Sequence, residues 1–283
     1  MNKYICIHGH FYQPPRENAW LEAIEQQESA LPFHDWNERI TAECYGPNAF
    51  SRILNKEGLI SDIVNNYSNI SFNFGPTLLD WLQKNAGEVY QEIIEADKLS
   101  QKKNNGHGAA IAQVYNHIIM PLASEQDKHT QIIWGIYDFE KRFKRKPEGM
   151  WLAETAVDIA TLECLAHHEI KFTILAPRQA KAIKQMNEGI WSDVSGEKID
   201  TTQAYLFKLP SGKSINLFFY NGNISQDVAF KGLLKDGKKF AEALCAPFLN
   251  DENAQLVHIA TDGESYGHHH KHGDMALANA IKQ

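Results

Sequence analysis

Short apolar runs alternate with longer amphipathic segments along most of the chain. In the runs "KYICIHGH" at 3–10 and "ISFNFGP" at 70–76, apolar residues alternate with other residues, as is typical of β-strands. The second run also ends in Gly and Pro, which commonly close a strand. Apolar residues recur at helical spacing in other segments, most clearly over 127–143, where Pro147 follows the last turn. Strands that alternate with long helices predict an α/β fold with a parallel sheet or barrel.

The same criteria predict the remaining elements. They are helices over 77–85, 88–103, 155–170 and 232–245, strands over 149–154, 171–177 and 254–265, and a hairpin over 204–220 that turns at "PSGK". The segment 33–53 is polar at first and is expected to be a long functional loop.

Composition and charge exclude several classes of protein. The chain has 283 residues, of which 43% are hydrophobic and 22% charged, as in ordinary globular proteins. Its net charge of -7 disfavours nucleic acids and anionic membranes as partners. No apolar run is long enough for a transmembrane helix or a signal peptide. The four cysteines are far apart and form no CxxC pair, which favours buried thiols and a cytoplasmic location.

Three of the predicted strands run into ionisable side chains. "ICIHGH" ends on His8 and His10, "GMWLAE" ends on Glu154, and "VHIATDGE" ends on Asp262 and Glu264. In barrels and doubly wound sheets, ligands bind at the carboxyl ends of the parallel strands. Either acid alone would more often be a helix cap or a turn residue. Their joint occurrence with the two histidines favours a functional site.

Two carboxylates at strand ends suit the cleavage of a glycosidic bond. In the retaining reaction one carboxylate attacks the anomeric carbon, while the other protonates the leaving oxygen and then activates the acceptor. Trp151, three residues before Glu154, could supply an apolar wall or a face on which a sugar stacks.

Four segments match known motifs in order along the chain. They are "HGHFYQPP" (8–15), "NHIIMPLA" (116–123), "GMWLAETAVD" (149–158) and "TDGESYGHHH" (261–270). Together they resemble glycoside hydrolase family 57, the retaining α-glucan-active enzymes. The first differs from the family's His-x-His-Gln-Pro motif because Phe11 and Tyr12 precede Gln13, and Ala153 stands where Pro is usual in the third.

The resemblance implies an incomplete (β/α)7 barrel, formed as a single catalytic domain by residues 1–283, with a helical region expected beyond residue 283. It implies Glu154 as nucleophile and Asp262 as general acid/base, without a cofactor. It also places His10, His117, Trp151 and His268 around the first sugar subsite. The full set of expected substrate-binding residues is His8, His10, Gln13, His117, Trp151, Glu264 and His268. The expected substrate is an α-glucan or maltooligosaccharide, and hydrolysis and transfer both remain open.

Two alternatives stay open at this stage. His8 and His10 lie two apart on a strand and therefore share a face, as metal ligands would, so a metal-dependent polysaccharide deacetylase or an α-mannosidase-like hydrolase is the second enzyme class. No Asp lies beside this pair to complete a typical metal triad, and we predict no metal there. The other alternative is a non-catalytic glucan-binding homologue, which would have no need of the two acids. His167 and His168 are interpreted as structural residues near a helix C-terminus.

Overall fold

The computed structural model describes residues 2–186, 189–249 and 253–283. The chain forms two compact units, each assembled from separate segments. Unit 1 consists of Met1–Ile7, Ile111–Gln226 and Ala243–Ala260. Unit 2 consists of His8–Ala110, Asp227–Glu242 and Thr261–Gln283. The assignment of residues 1–283 to one catalytic domain stays a prediction.

The strands are distributed along the whole chain. They are β1 Lys3–Phe11, β2 Ser51–Leu54, β3 Ile60–Val64, β4 Ser71–Phe74, β5 Ala112–Gln113, β6 Met150–Trp151, β7 Phe172–Leu175, β8 Ala182–Ile183, β9 Ser192–Asp193, β10 Ala204–Lys208, β11 Ser214–Phe219 and β12 Gln255–Asp262.

Helices separate most of the strands. They are α1 Trp36–Ile40, α2 Gly46–Ala49, α3 Pro76–Asn85, α4 Gly87–Lys103, α5 Glu125–Phe143, α6 Ile159–His167, α7 Gly222–Phe230, α8 Gly237–Cys245 and α9 Gly273–Lys282. None of the helices in the described ranges is long and apolar enough to cross a membrane.

The strands near the predicted polar strand ends pair mostly in parallel. β1 lies between β12 and β4 and pairs in parallel with β4, so that His8 is opposite Ser71 and His10 is opposite Asn73. β5 pairs in parallel with β6, and β11 lies between parallel β7 and antiparallel β10. Parallel strands joined through helices are the pattern that the sequence predicted for an α/β fold.

Each unit has its own buried apolar cluster. In unit 1, Trp151 packs with Ile111, Ile174 and Ala260 behind the strands that lead to Glu154. In unit 2 the cluster is aromatic: Phe11 stacks on Phe74 at 4.6 Å, and Tyr45 and Tyr67 meet Phe11 edge-on. Burying large aromatic rings in edge-to-face contact is a strong source of packing energy, which fixes the ends of β1 and β4.

Most predicted elements are confirmed, but their boundaries shift where side chains cap the backbone. The helix predicted over 155–170 begins at Ile159, because Asp158 Oδ1 accepts a hydrogen bond from the Thr161 amide at 2.7 Å and so caps α6. The strand predicted over 149–154 is reduced to β6, since a 3₁₀ turn follows over 153–155.

The prediction of a loop over 33–53 was wrong for residues 36–49. This part forms α1, a π-helical turn over Thr41–Tyr45, and α2. Asp35 starts the segment by accepting a hydrogen bond from the Glu38 amide at 3.1 Å. Ile40, Cys44 and Tyr45 are buried, so one apolar face holds a helix that the polar start of the segment concealed.

Candidate active site

Glu154 lies on a strained turn directly after β6. Its side chain is exposed, whereas both neighbours, Ala153 and Thr155, are buried. The backbone is left-handed at Glu154, with φ 56°, and again at Thr155, with φ 53°. A β-branched residue rarely adopts this conformation, and each such residue costs about 1–3 kcal/mol. Strain of this kind is found where a turn must hold a functional side chain in place.

Gln179 fixes this turn from the segment that follows β7. Its Nε2 donates to the Thr155 carbonyl at 2.7 Å, and its Oε1 accepts from the Ala176 amide at 2.7 Å. The Thr155 amide also donates to the Leu152 carbonyl at 2.9 Å. Sequence reasoning missed Gln179, because nothing in the pattern of "APRQA" indicates that its side chain reaches another loop.

His117 lies near Glu154 within unit 1. Burial lowers the pKa of His117, and the negative charge of Glu154 opposes that shift, which requires the two groups to be within electrostatic reach. His117 also has a left-handed backbone, with φ 53°. The second and third motifs of the sequence therefore converge on one place in unit 1.

Trp151 is mostly a core residue. Only 6% of its surface is exposed, and it belongs to the apolar cluster of unit 1. Its contact with a sugar stays a prediction.

Asp262 is the exposed last residue of β12 in unit 2. The next residue must be glycine, because a Cβ at Gly263 would lie 2.2 Å from Cδ1 of buried Phe11. The chain therefore packs closely against the aromatic cluster at Gly263, directly after Asp262, whereas Asp262 itself is exposed.

Glu264 follows Asp262 but is buried, with 7% of its surface exposed. Its Oε1 accepts hydrogen bonds from the Tyr45 hydroxyl at 2.5 Å and from the Tyr12 amide at 3.3 Å. Burial raises the pKa of Glu264 to about 7; the charge of Asp262 adds to this rise, and the bond from Tyr45 opposes it. Glu264 thus ties the segment after Asp262 to the first motif.

Gln13 joins the same network from the first motif. Its Oε1 accepts from Arg16 Nη2 at 2.6 Å, and its side chain also hydrogen-bonds Tyr45. Both of the predicted substrate-binding residues Gln13 and Glu264 therefore meet at the Tyr45 hydroxyl.

His8 and His10 are linked through Asn73 on β4. The Asn73 carbonyl oxygen is 3.0 Å from His8 Nε2, and its amide nitrogen is 2.9 Å from His10 Nδ1. Since an amide oxygen only accepts and an amide nitrogen only donates, His8 carries its proton on Nε2 and neutral His10 carries its own on Nε2. Ser71 Oγ lies 3.0 Å from His8 Nδ1, so His8 uses both ring nitrogens within the protein.

His10 and His268 are each held by an aromatic ring and a polar partner. His10 stacks on Tyr12 with ring centroids 5.9 Å apart and is 7% exposed. Half-buried His268 hydrogen-bonds Glu43 through Nδ1 and meets Trp36 edge-on at 5.8 Å. Helix α1 and the turn that follows it, both missed from the sequence, therefore position His268.

Comparison with known proteins agrees with these features. Residues 7–283 match the model of glycosyl hydrolase family 57. A search of curated proteins found no match.

Several solved structures are similar over 98–100% of the chain. The 4-α-glucanotransferase of Thermococcus litoralis has a TM-score of 0.67 at 16% identity, covering 100% of this chain and 38% of that one. An exo-type maltose-forming amylase of Pyrococcus sp. ST04 has a TM-score of 0.70 at 18% identity, covering 100% and 46%. A branching enzyme of Pyrococcus horikoshii has a TM-score of 0.62 at 15% identity, covering 98% and 66%.

The chain thus spans less than half the length of the first two of these proteins. Their likeness confirms the predicted α/β fold class. With the family model matched from residue 7 to residue 283, the chain belongs to glycosyl hydrolase family 57.

Proposed function

We propose that the protein is a retaining enzyme that acts on α-glucans or maltooligosaccharides by double displacement. The observation that carries this proposal is Glu154, an exposed carboxylate on a doubly left-handed turn in a chain of family 57. Backbone strain of this kind is concentrated at functional sites, so the left-handed turn favours a functional role for Glu154.

In the first step Glu154 attacks the anomeric carbon while Asp262 donates its proton to the departing glycosidic oxygen. The bond to the leaving sugar breaks, and a glycosyl ester forms on Glu154. In the second step Asp262, now ionised, takes a proton from an acceptor hydroxyl, and the acceptor oxygen displaces Glu154. Two inversions give net retention, and the acceptor decides between hydrolysis by water and transfer to another glucan.

The remaining residues suit binding and positioning. Asn73 donates a hydrogen bond to Nδ1 of His10, so the ring proton of neutral His10 is on Nε2, from which it can donate to a sugar hydroxyl. His117 lies beside Glu154, and His268 is oriented by Glu43. His8 has no exposed surface, so we replace the direct sugar contact expected for it with a positioning role through Asn73.

The metal-dependent alternative is less well supported by the histidine pair. His8 has both ring nitrogens engaged by Ser71 and Asn73, and Asn73 also occupies Nδ1 of His10. The two side chains are thereby committed to a hydrogen-bonded chain, so we propose that neither holds a metal ion.

Names of the similar structures leave the outcome of the second step open, since they include a glucanotransferase, an amylase and a branching enzyme. We place the enzyme in the cytoplasm, in keeping with the absence of disulfides among the cysteines of the described residues.

The test is incubation of the full chain with maltoheptaose, with the products followed by chromatography and the anomeric configuration by NMR. We expect products that first appear in the α configuration, activity unaffected by a chelator, and no activity in Glu154→Ala. A chelator-sensitive activity would favour the metalloenzyme class. A chain that binds the oligosaccharide without converting it would favour the binding homologue.

A further inference from the structure

Three metal-binding side chains meet in unit 1 on two packed helices. His129 lies near the N-terminus of α5, Cys164 lies in α6, and His168 is the C-cap residue directly after α6. Their ligand atoms all lie within 4.8 Å of one another. Cys164 and His168 are four residues apart, which places them on the same face of a helix, one turn from each other. None of these residues has a part in the proposed glucan chemistry.

The two histidines already face each other through single nitrogen atoms. His129 Nδ1 lies 2.9 Å from His168 Nε2. Tetrahedral coordination with zinc–nitrogen bonds of about 2.0–2.1 Å separates two ligand nitrogens by about 3.3 Å. The two nitrogens therefore need to separate only slightly to accept an ion between them, and the Cys164 sulfur, which lies within 4.8 Å of both, moves towards the ion to complete the set.

A third imidazole borders the cluster. The His167 ring lies 5.5 Å from the His129 ring and 4.9 Å from the His168 ring, with near-perpendicular planes in both contacts. His129 and His168 are themselves 5.1 Å apart by ring centroids. His167 is thus next to the position that a fourth ligand, either its own ring or a water molecule, would fill.

We infer that His129, Cys164 and His168 form a binding site for a divalent transition-metal ion. Zn²⁺ fits this ligand set best, because it binds a thiolate together with imidazole nitrogens in tetrahedral geometry. On binding, the Cys164 thiol releases its proton to solvent. The hydrogen bond between His129 and His168 is exchanged for two nitrogen–metal bonds. The ring that donates this hydrogen bond moves its proton to its other nitrogen by exchange with solvent, and the accepting ring already carries its proton there.

The surroundings favour metal binding at the histidines and oppose it at the cysteine. Burial, with help from neighbouring His129, His167 and Lys213, lowers the pKa of His168 and so favours the neutral, ligating imidazole. Burial raises the pKa of Cys164 to about 11, although the charge of Lys128 opposes this shift. The thiol therefore stays protonated until an ion displaces the proton.

Such an ion would join α5 to α6 beyond the contacts that already hold them. One of these contacts is an ion pair between Lys128 and Asp158, whose closest atoms are 3.7 Å apart. A bound ion adds bonds between the same two helices and is expected to raise the thermal stability of the chain.

Cobalt is the sharpest probe, since a thiolate bound to Co²⁺ gives a charge-transfer absorption that histidine ligands alone do not give. We expect titration of the metal-free full chain with Co²⁺ to produce this absorption with saturation at one equivalent, and Zn²⁺ to abolish it. Cys164→Ser should lose the absorption, whereas Cys245→Ser, which alters an exposed cysteine, should retain it. A chain without the absorption, or a Cys164→Ser variant that keeps it, would overturn the proposal.

The histidine-rich segment at 268–272 is the main competing site for metal ions. A variant with His269→Ala, His270→Ala and His272→Ala should keep the thiolate absorption and the rise in Tm that Zn²⁺ produces. His129 is half-buried, so the His129→Ala variant should fold as judged by circular dichroism. This variant should bind Co²⁺ at least about tenfold more weakly than the wild type. Unchanged affinity in folded His129→Ala would contradict the site.

Discussion

The Tyr45 hydroxyl donates a hydrogen bond to Glu264 at 2.5 Å inside unit 2. The acceptor is a buried carboxyl group whose pKa is raised, chiefly by burial, to about 7. Glu264 therefore binds a proton in the folded state at pH values where the unfolded chain has already lost it. Its contribution to stability is fully present below the ordinary pKa of 4.5 and is lost as the pH rises towards 7.

We predict that Glu264→Gln stabilises the fold at pH 8 relative to the wild type, by up to about 3 kcal/mol, and makes no difference at pH 4. The amide keeps the oxygen that accepts from Tyr45 and cannot ionise. Urea unfolding of both proteins across this pH range measures the difference. Exposed Glu57→Gln is the matched control and should show no such pH-dependent gain. An equal gain at both pH values would show that ionisation of Glu264 is not its cause.

His258 should produce the opposite pH dependence. It is 3% exposed, and burial lowers its pKa to about 4, against which a hydrogen bond with the Phe219 backbone acts weakly. The unfolded chain takes up the proton near pH 6.5, so stability is complete above that pH and falls as the pH drops towards 4.

Between pH 7 and pH 5 this loss should amount to about 2 kcal/mol. His258→Asn removes the titrating ring and should flatten this part of the curve, which thermal unfolding at both pH values measures. If the variant and the wild type lose the same stability between pH 7 and pH 5, another group is responsible.

Asn73 should control the proton on His10 and thereby substrate binding. Asn73→Asp replaces the donating amide with a second acceptor, so that a proton is drawn to Nδ1 of His10 and is withdrawn from Nε2. We expect KM for maltooligosaccharides to rise about tenfold, the worth of one hydrogen bond, with kcat changed less.

The exposed Asn69→Asp variant adds the same charge close by in the sequence and should leave KM unchanged. A KM in Asn73→Asp that matches the wild type at every pH would remove Asn73 from the positioning chain.

The strain at Glu154 predicts an unusual order of stability for two inactive variants. Glycine normally destabilises a chain relative to alanine, but it adopts a left-handed backbone without the cost that a Cβ imposes. At φ 56° we expect Glu154→Gly to be more stable than Glu154→Ala by about 1 kcal/mol. Thermal unfolding of the two proteins checks this order, and the reverse order would mean that the turn is not held left-handed.

The sequence was sufficient for the elements that carry the motifs because apolar periodicity is local. β1, α5 and the hairpin of β10 and β11 were predicted within two residues or so. Glu154 and Asp262 were predicted as acids at strand ends, and both are exposed there, between or beside buried residues. These features depend on residues that are close together in the chain.

What the sequence could not provide depends on contacts between distant segments. The link from Gln179 to the turn at Thr155 and the bond between Tyr45 and Glu264 join residues 24 and 219 positions apart. The same holds for the helices at 36–49, whose apolar face is stabilised by burial of Tyr45 against aromatic residues that are distant in the chain. The packing of Trp151 against Ile111, Ile174 and Ala260 also joins distant segments, and its contact with a sugar stays a prediction.

The most direct test of the central claim is chemical rescue with azide, because the two proposed roles predict products of opposite configuration. With an activated aryl α-maltoside, inactive Glu154→Ala should be rescued by azide to give the β-glycosyl azide, since azide enters from the face that Glu154 vacates. Asp262→Ala should give the α-glycosyl azide, formed by attack on the glycosyl-enzyme. The account predicts this pair of products by NMR. An α-azide from Glu154→Ala, or full activity without azide, would contradict it.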